Sequence, residues 1–146
     1  MISIKRINEE DIDLCYELDS NTISLWTKKQ WANEFKKEGI KVYGVLSANV
    51  VAGICVFNIV LDEAHINYFV VDHKFRKKGF GSYLMSHLIN CCEIYNVSKL
   101  FLEVSCENIT AEKFYDRFNF FTVGVRKKYY KDGSDALLKE KKLTTK

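Results

Sequence analysis

The spacing of apolar and polar positions changes period repeatedly along the chain, and each change marks an element. "SIKRI" alternates and predicts a short first strand. "NEEDIDLCYELDSN" repeats near 3.6 residues, with Ile12, Cys15 and Tyr16 on an apolar stripe flanked by Leu18 and Asn8 as N-cap. A second helix is predicted in "TKKQWANEFKKEG": Thr27 fits its N-cap, Trp31 and Phe35 stand four apart, and Gly39 fits its end. "KVYGVLS", "VVAGICVFNIV" and "HINYFVVD" are β-rich and separated by short turns at Ala48-Asn49 and Asp62-Glu63, which predicts an antiparallel meander. From Phe80 the helical period returns, with Leu84, Leu88, Cys91, Cys92 and Tyr95 on one stripe. "KLFLEVS" alternates: Leu100, Leu102 and Val104 share one face, while Phe101, Glu103 and Ser105 share the other. "NITAEKFYDRF" sets Ala111, Phe114, Tyr115 and Phe118 on a helical stripe behind Asn108. The last segment reads as two strands joined by a loop holding Asp132-Gly133. With no proline in the chain, glycine and asparagine must punctuate it. The order β-α-α-β-β-β-α-β-α-β-β is that of a mixed α/β (α+β) domain around a central sheet.

Composition narrows the classes. A chain of 146 residues is one domain, residues 1–146, and large enough to bury a core. The net charge of +3, from 22 cations and 19 acids, does not call for a nucleic-acid partner, and no direct nucleic-acid contact is expected. No run of about 18 apolar residues occurs, so no membrane span is expected, and "MISIKRINEEDID" lacks a signal-peptide core. Five cysteines without C-x-x-C spacing read as reduced thiols of a cytoplasmic protein. His65, His73 and His87 lack ligand spacing, so no metal is expected. The lysine-rich end, Lys139 to Lys146, reads as a solvated or frayed tail.

Candidate chemistry starts at "HKFRKKGFGSYLMSHLI". Arg76-Lys77-Lys78-Gly79-Phe80-Gly81 lies between a strand and a helix, where free N–H groups point out of the helix start. Glycine permits a tight turn and close approach of a phosphate, while the helix dipole and three cations favour negative charge. The segment is neither a Walker A nor a G-x-G-x-x-G fingerprint.

Arg76-x-x-Gly79-x-Gly81 resembles the Q/R-x-x-G-x-G/A motif of the GNAT superfamily of N-acetyltransferases. The resemblance extends along nearly the whole chain. In the second half, "VLDEA", "FVVDHKFRKKGFGSYLMSHLI", "LFLEVSCENITAEKFYDRFNF" and "YYKDGSDALL" are most similar to the bacterial ribosomal-protein-alanine N-acetyltransferases of RimI type. This resemblance implies the GNAT fold, a mixed and mostly antiparallel sheet of roughly seven strands flanked by roughly four helices. It implies acetyl-CoA as cosubstrate and, as acceptor, a peptide or protein N-terminus, that of a small-subunit ribosomal protein with a basic N-terminal region.

By the same resemblance, Phe69, Val70 and Val71 would pair by backbone with the pantetheine arm, as an added strand does. Lys77, Lys78, Gly79, Phe80, Gly81 and Ser82, with Arg76, would hold the pyrophosphate. Asn108 would bind the pantetheine region, Glu103 would act as general base and Tyr115 as general acid. An α-amine with pKa near ~8 must lose a proton before it attacks a thioester, and a carboxyl in the apolar "LFLEV" run could take it. Read from its own surroundings, Glu103 is equally a structural ion pair or an edge-strand acid facing water, Tyr115 a core aromatic and Asn108 a helix cap. Asp62, Glu63 and Glu107 could draw a basic peptide, and Tyr129 and Tyr130 resemble an acceptor-side wall, with strand packing as their other reading. "NTISLWTKKQW" keeps Trp26 but lacks the proline common before it in RimI-type chains, which loosens the inference about peptide preference. Two other readings stay open. One is a GNAT enzyme for a small amine, an antibiotic or a lysine side chain; the other is an acyl-CoA- or ribosome-binding module without turnover.

Overall fold

The computed structural model describes residues 1–143. Eleven main elements follow in the expected order: β1 (Ile2–Arg6), α1 (Ile12–Ser20), α2 (Lys28–Phe35), β2 (Ile40–Ser47), β3 (Val50–Val60), β4 (Glu63–Val71), α3 (Phe80–Ile94), β5 (Lys99–Ser105), α4 (Ile109–Arg117), β6 (Phe121–Arg126) and β7 (Ala136–Lys142). The strands form one seven-stranded sheet in the order β1-β2-β3-β4-β5-β7-β6. All neighbours are antiparallel except β4 and β5, which run parallel. Among the described residues no helix is long and apolar enough to cross a membrane.

Each face of the sheet is covered where its strands are apolar. On one face α3 and α4 pack Leu84, Leu88, Cys92 and Tyr115 over Cys55, Phe57, Leu100, Leu102 and Val104. On the other, α1 and α2 bring Cys15 and Trp31 onto Ile54, Val56, Tyr68 and Val70. The alternation expected in β5 holds: Leu100, Leu102 and Val104 are buried, while Phe101, Glu103 and Ser105 are half-buried on the opposite side.

A single inserted residue decides how β4 is used. Val56 of β3 faces Tyr68, but Phe57 faces Ile66, so Asn67 is a β-bulge. Before it, Ala64 and Ile66 join the α3 side. After it, Tyr68 and Val70 belong to the α1–α2 side, while Phe69 and Val71 pack toward α3. The bulge sits where β4 leaves its parallel neighbour: β4 and β5 pair only over Glu63–Ile66 and Lys99–Leu102.

Four expectations are corrected. Tyr16 is exposed, and the inward stripe of α1 runs from Cys15 to Asp19, four residues on, with a 3-10 turn over Glu9–Asp11 before the helix. Tyr95 caps the C-terminal end of α3 and is exposed, while Met85 lies in the core. Lys139 is no tail residue: it is buried in β7 between β5 and β6, with Nζ 3.3 Å from Glu112 and 3.6 Å from Asp116 of α4. Lys141 and Lys142 are also strand residues, and residues 144–146 of that expected tail lie outside the described residues. The β3–β4 turn also falls one residue early, with Leu61 at φ +57° and β4 starting at Glu63.

Candidate active site

Beyond the bulge, the far half of β4 has β3 on one side and no ladder partner in β5 on the other. Asp72 N–H donates to the Ala52 carbonyl of β3 at 2.8 Å. Strand alternation therefore points the backbone groups of Val70 to β3 and those of Phe69 and Val71 to the opening toward β5. At its far end the Val71 carbonyl accepts from Arg76 Nε at 3.2 Å, which ties that guanidinium to the strand edge.

The chain then turns into α3 through two left-handed residues, Lys77 at φ +61° and Gly79 at φ +87°. A Cβ at Gly79 would meet nothing within 4 Å, so glycine answers to backbone conformation there and leaves the approach clear. Tyr83 N–H makes the first bond into the helix, to the Gly79 carbonyl at 3.0 Å, so the N–H groups of Phe80, Gly81 and Ser82 have no intrahelical acceptor. Lys74, Lys77 and Lys78 are exposed around them. Gly81 lets Phe114 of α4 close on α3, since a Cβ there would lie 3.3 Å from the Phe114 ring. An unpaired strand edge leading to an N–H cradle ringed by cations fits a ligand with an amide-bearing arm and a pyrophosphate.

Glu103 opens onto the other face of the sheet. Its Oε2 lies 3.3 Å from Arg126 Nε and its Oε1 3.8 Å from His65 Nε2. The ion-pair reading of Glu103 is thus realised, with the carboxylate one-fifth exposed. Burial pushes His65 below the usual histidine range, with Glu103 pulling the other way. Tyr130 closes the cluster from the loop between β6 and β7, so neither it nor Tyr129 is a strand residue. Burial first, then the Glu103 charge, pushes the Tyr130 hydroxyl up to about 12. The Arg126 guanidinium lies 5.5 Å from the Tyr129 ring centre, and the two tyrosine rings are 5.1 Å apart.

Glu34 of α2 and Lys37 just past its end, paired at 2.7 Å, border His65 closely enough for their charges to act on it. Beside them a groove of about 190 Å³ is lined by Trp26, Gln30, Asn33, Glu34 and Lys37. Of the acids expected to draw a peptide, Asp62 is engaged by the Ser98 hydroxyl at 3.1 Å, while Glu63 and Glu107 are exposed.

Tyr115 stands on the α4 side, its ring among Phe69, Phe114 and Phe120 at 6.4, 5.5 and 5.7 Å. Burial, with Tyr130 second, holds its hydroxyl far above the ordinary phenol range, so it carries its proton at neutral pH. Tyr130 links the two faces, because it feels Glu103 and acts on Tyr115. Asn108 makes its cap: Oδ1 accepts from Ala111 N–H at 3.1 Å. His65 and Arg126 escape sequence reading because nothing in the local pattern pairs them with Glu103. Among the described residues no group of three or more acidic, cysteine or histidine side chains is placed to hold a metal ion.

Comparison with known proteins gives consistent matches. The model of the acetyltransferase (GNAT) family matches residues 7–120. A Haemophilus ducreyi ribosomal protein bS18-alanine N-acetyltransferase is 30% identical over 134 residues, 90% of this chain and 92% of its own. The Escherichia coli K12 protein of the same name is 27% identical over 131 residues, 89% of this chain and 88% of its own. The crystal structure of the Escherichia coli ribosomal-protein-S18-alanine N-acetyltransferase superposes with a TM-score of 0.93 at 26% identity, covering 100% of this chain and 96% of that one.

Proposed function

The chain belongs to the acetyltransferase (GNAT) family, and from that premise we propose that it acetylates the N-terminal α-amine of a protein, the alanine that begins a small-subunit ribosomal protein. It is an N-acetyltransferase that uses acetyl-CoA, which supplies the acetyl group as a thioester. The proposed acceptor rests on relatives of that name that align over about nine-tenths of both chains. The proposed place of action is the cytoplasm.

The observation that carries the mechanism is the position of Glu103 on β5, where β4 and β5 separate, on the face opposite Tyr115. Phe69 and Val71 line the separated edge with backbone donors and acceptors for the pantetheine arm, and the N–H groups of Phe80, Gly81 and Ser82 receive the pyrophosphate. Asn108, at the start of α4, contacts the arm while it caps the helix. Glu103 takes the proton from the acceptor's ammonium, and the freed amine attacks the thioester carbon directly. A backbone N–H of the β4 edge steadies the carbonyl oxygen as negative charge develops on it. As the intermediate collapses, the attacking nitrogen gives its second proton to water, Tyr115 gives its proton to the departing sulfur and regains one from solvent, and Glu103 releases its proton to solvent. Tyr129 and Tyr130 wall the acceptor side.

The test is CoA release from acetyl-CoA with and without a peptide copying the N-terminus of the organism's own ribosomal protein, wild type beside Glu103→Gln. Peptide-dependent release that falls at least about a hundredfold in the variant supports the acceptor and the base together. Release with a small amine or a lysine peptide, and none with this peptide, sends the acceptor to the wider family. Acetyl-CoA binding without release to any amine defeats the enzymatic reading of the site.

A further inference from the structure

The α1–α2 loop is folded around one residue that the mechanism does not use. Asp19, at the end of α1, is fully buried. Its backbone carbonyl accepts from the N–H groups of Thr22 at 3.1 Å and Ser24 at 2.7 Å. Its carboxylate accepts from four more donors. Oδ1 takes Leu25 N–H at 2.9 Å and the Tyr68 hydroxyl at 3.1 Å; Oδ2 takes Trp26 N–H at 2.9 Å and the Trp31 indole N–H at 3.1 Å. The three N–H groups come from the loop and α2, and the hydroxyl comes from β4, so a single side chain fastens three pieces of the chain. A buried carboxylate is costly without such donors, and each donor would be costly without it.

Trp26 is the outer member of this assembly. Its ring lies 4.8 Å from Trp31 and 5.3 Å from Tyr68, whose own rings are 5.0 Å apart. Trp31 is fully buried, whereas Trp26 is half-buried and lines a groove with Glu34 and Lys37, whose charges act on His65, the neighbour of Glu103. Tyr68 is the first residue after the bulge and adjoins Phe69 on the strand that opens toward β5.

We infer that Asp19 is a positioning residue for the acceptor. It holds Trp26 in register with β4, so that the groove wall keeps a fixed place relative to Glu103. This rests on the reading that the acceptor's amine is delivered to Glu103 from the α2 side. Loss of the carboxylate would leave the loop N–H groups short of an acceptor and release Trp26, without disturbing the α3 cradle on the opposite face.

The discriminating variant is Asp19→Asn, which keeps the volume but turns an N–H2 toward at least one former donor. Steady-state kinetics separate positioning from mere damage, because a partly unfolded preparation lowers kcat and leaves each KM unchanged. The expected result is an acceptor KM raised about tenfold, with the acetyl-CoA KM within about twofold of wild type. Acrylamide quenching gives a second reading, since the chain's two tryptophans are Trp26 and Trp31. Quenching should rise in the variant as the half-buried ring is freed. Tyr68→Phe, which removes only the tie to β4, should show the same changes to a smaller extent and decides the matter if Asp19→Asn does not fold. An acceptor KM unchanged in both variants, or quenching unchanged in both, overturns the inference. If Glu103→Gln keeps full turnover, the base assignment fails while these ratios still stand or fall by themselves. If wild type ignores the ribosomal peptide, the comparison moves to whichever amine it does acetylate, and quenching decides independently.

Discussion

At the scale of single residues, Tyr115 and Glu103 ask for different tests. Tyr115→Phe keeps the ring among Phe69, Phe114 and Phe120 and removes only the hydroxyl. Its expected effect is a kcat lower by about a hundredfold, with both KM values and the unfolding midpoint little changed. Because burial keeps that hydroxyl protonated well past the usual phenol range, Tyr115 should contribute no alkaline limb to the pH–rate profile below about pH 10. The period-2 pattern of "KLFLEVS" put Glu103 on the face away from Leu100, Leu102 and Val104, and the structure agrees. Its neighbours were not legible, because Arg126 and His65 come from strands 23 and 38 residues away in sequence and meet it only through sheet register. Asp19 was missed for the same reason: at a helix end it reads as a solvated acid, and its donors lie 6, 7, 12 and 49 residues further on.

At the scale of elements, two glycines should respond to one substitution for different reasons. Gly79→Ala forces a Cβ onto a left-handed residue in open space, costing about 1 kcal/mol of stability. Urea unfolding should show that modest loss, and titration calorimetry should show weaker acetyl-CoA binding. Gly53→Ala brings a Cβ to 2.8 Å from the Val70 carbonyl, so β3 and β4 must part beside the open edge, with a loss of about 1–3 kcal/mol. Helix starts were legible where caps are local: Thr27 accepts from Gln30 N–H at 3.1 Å, as its position before "KKQW" implied. The last strand was harder to read. Charged residues fill the middle of "LLKEKKL", yet β5 and β6 flank it and α4 supplies Glu112 and Asp116 to Lys139, so burial and charge coexist there.

For the whole molecule, the buried titratable groups set a window of pH. His65 and His87 have pKa values depressed by burial, so their contribution to stability is complete above about 6.5 and is lost as pH falls through the folded values. Burial raises the thiols of Cys15 and Cys92 to about 12, and the Cys55 thiol and the Tyr68 and Tyr115 hydroxyls go up as well. Their contribution is complete below the ordinary values, 9.0 for cysteine and 10.0 for tyrosine, and is lost as pH rises above them. Urea midpoints should be flat between about pH 6.5 and 9 and fall on both sides, more steeply on the alkaline one. The sequence of elements and the sheet class were legible because periodicity reports burial directly, as in β5 and α3. The separation of β4 from β5 was not, since the alternation of "HINY" passes into the apolar run "YFVV", which fits a strand covered on both faces and does not announce an extra residue.

That extra residue makes β4 a strand with two phases. Upstream of Asn67 the side chains keep one parity, downstream the other, much as an inserted letter shifts every later word of a code. Length is therefore as constrained here as composition. Removing one residue would send Phe69 and Val71 to the helix pair they now avoid and Tyr68 away from Asp19, although every local preference in the segment would survive. Divergence among descendants of this chain should run through substitutions on either side of Asn67, and insertions or deletions should gather in the connecting loops.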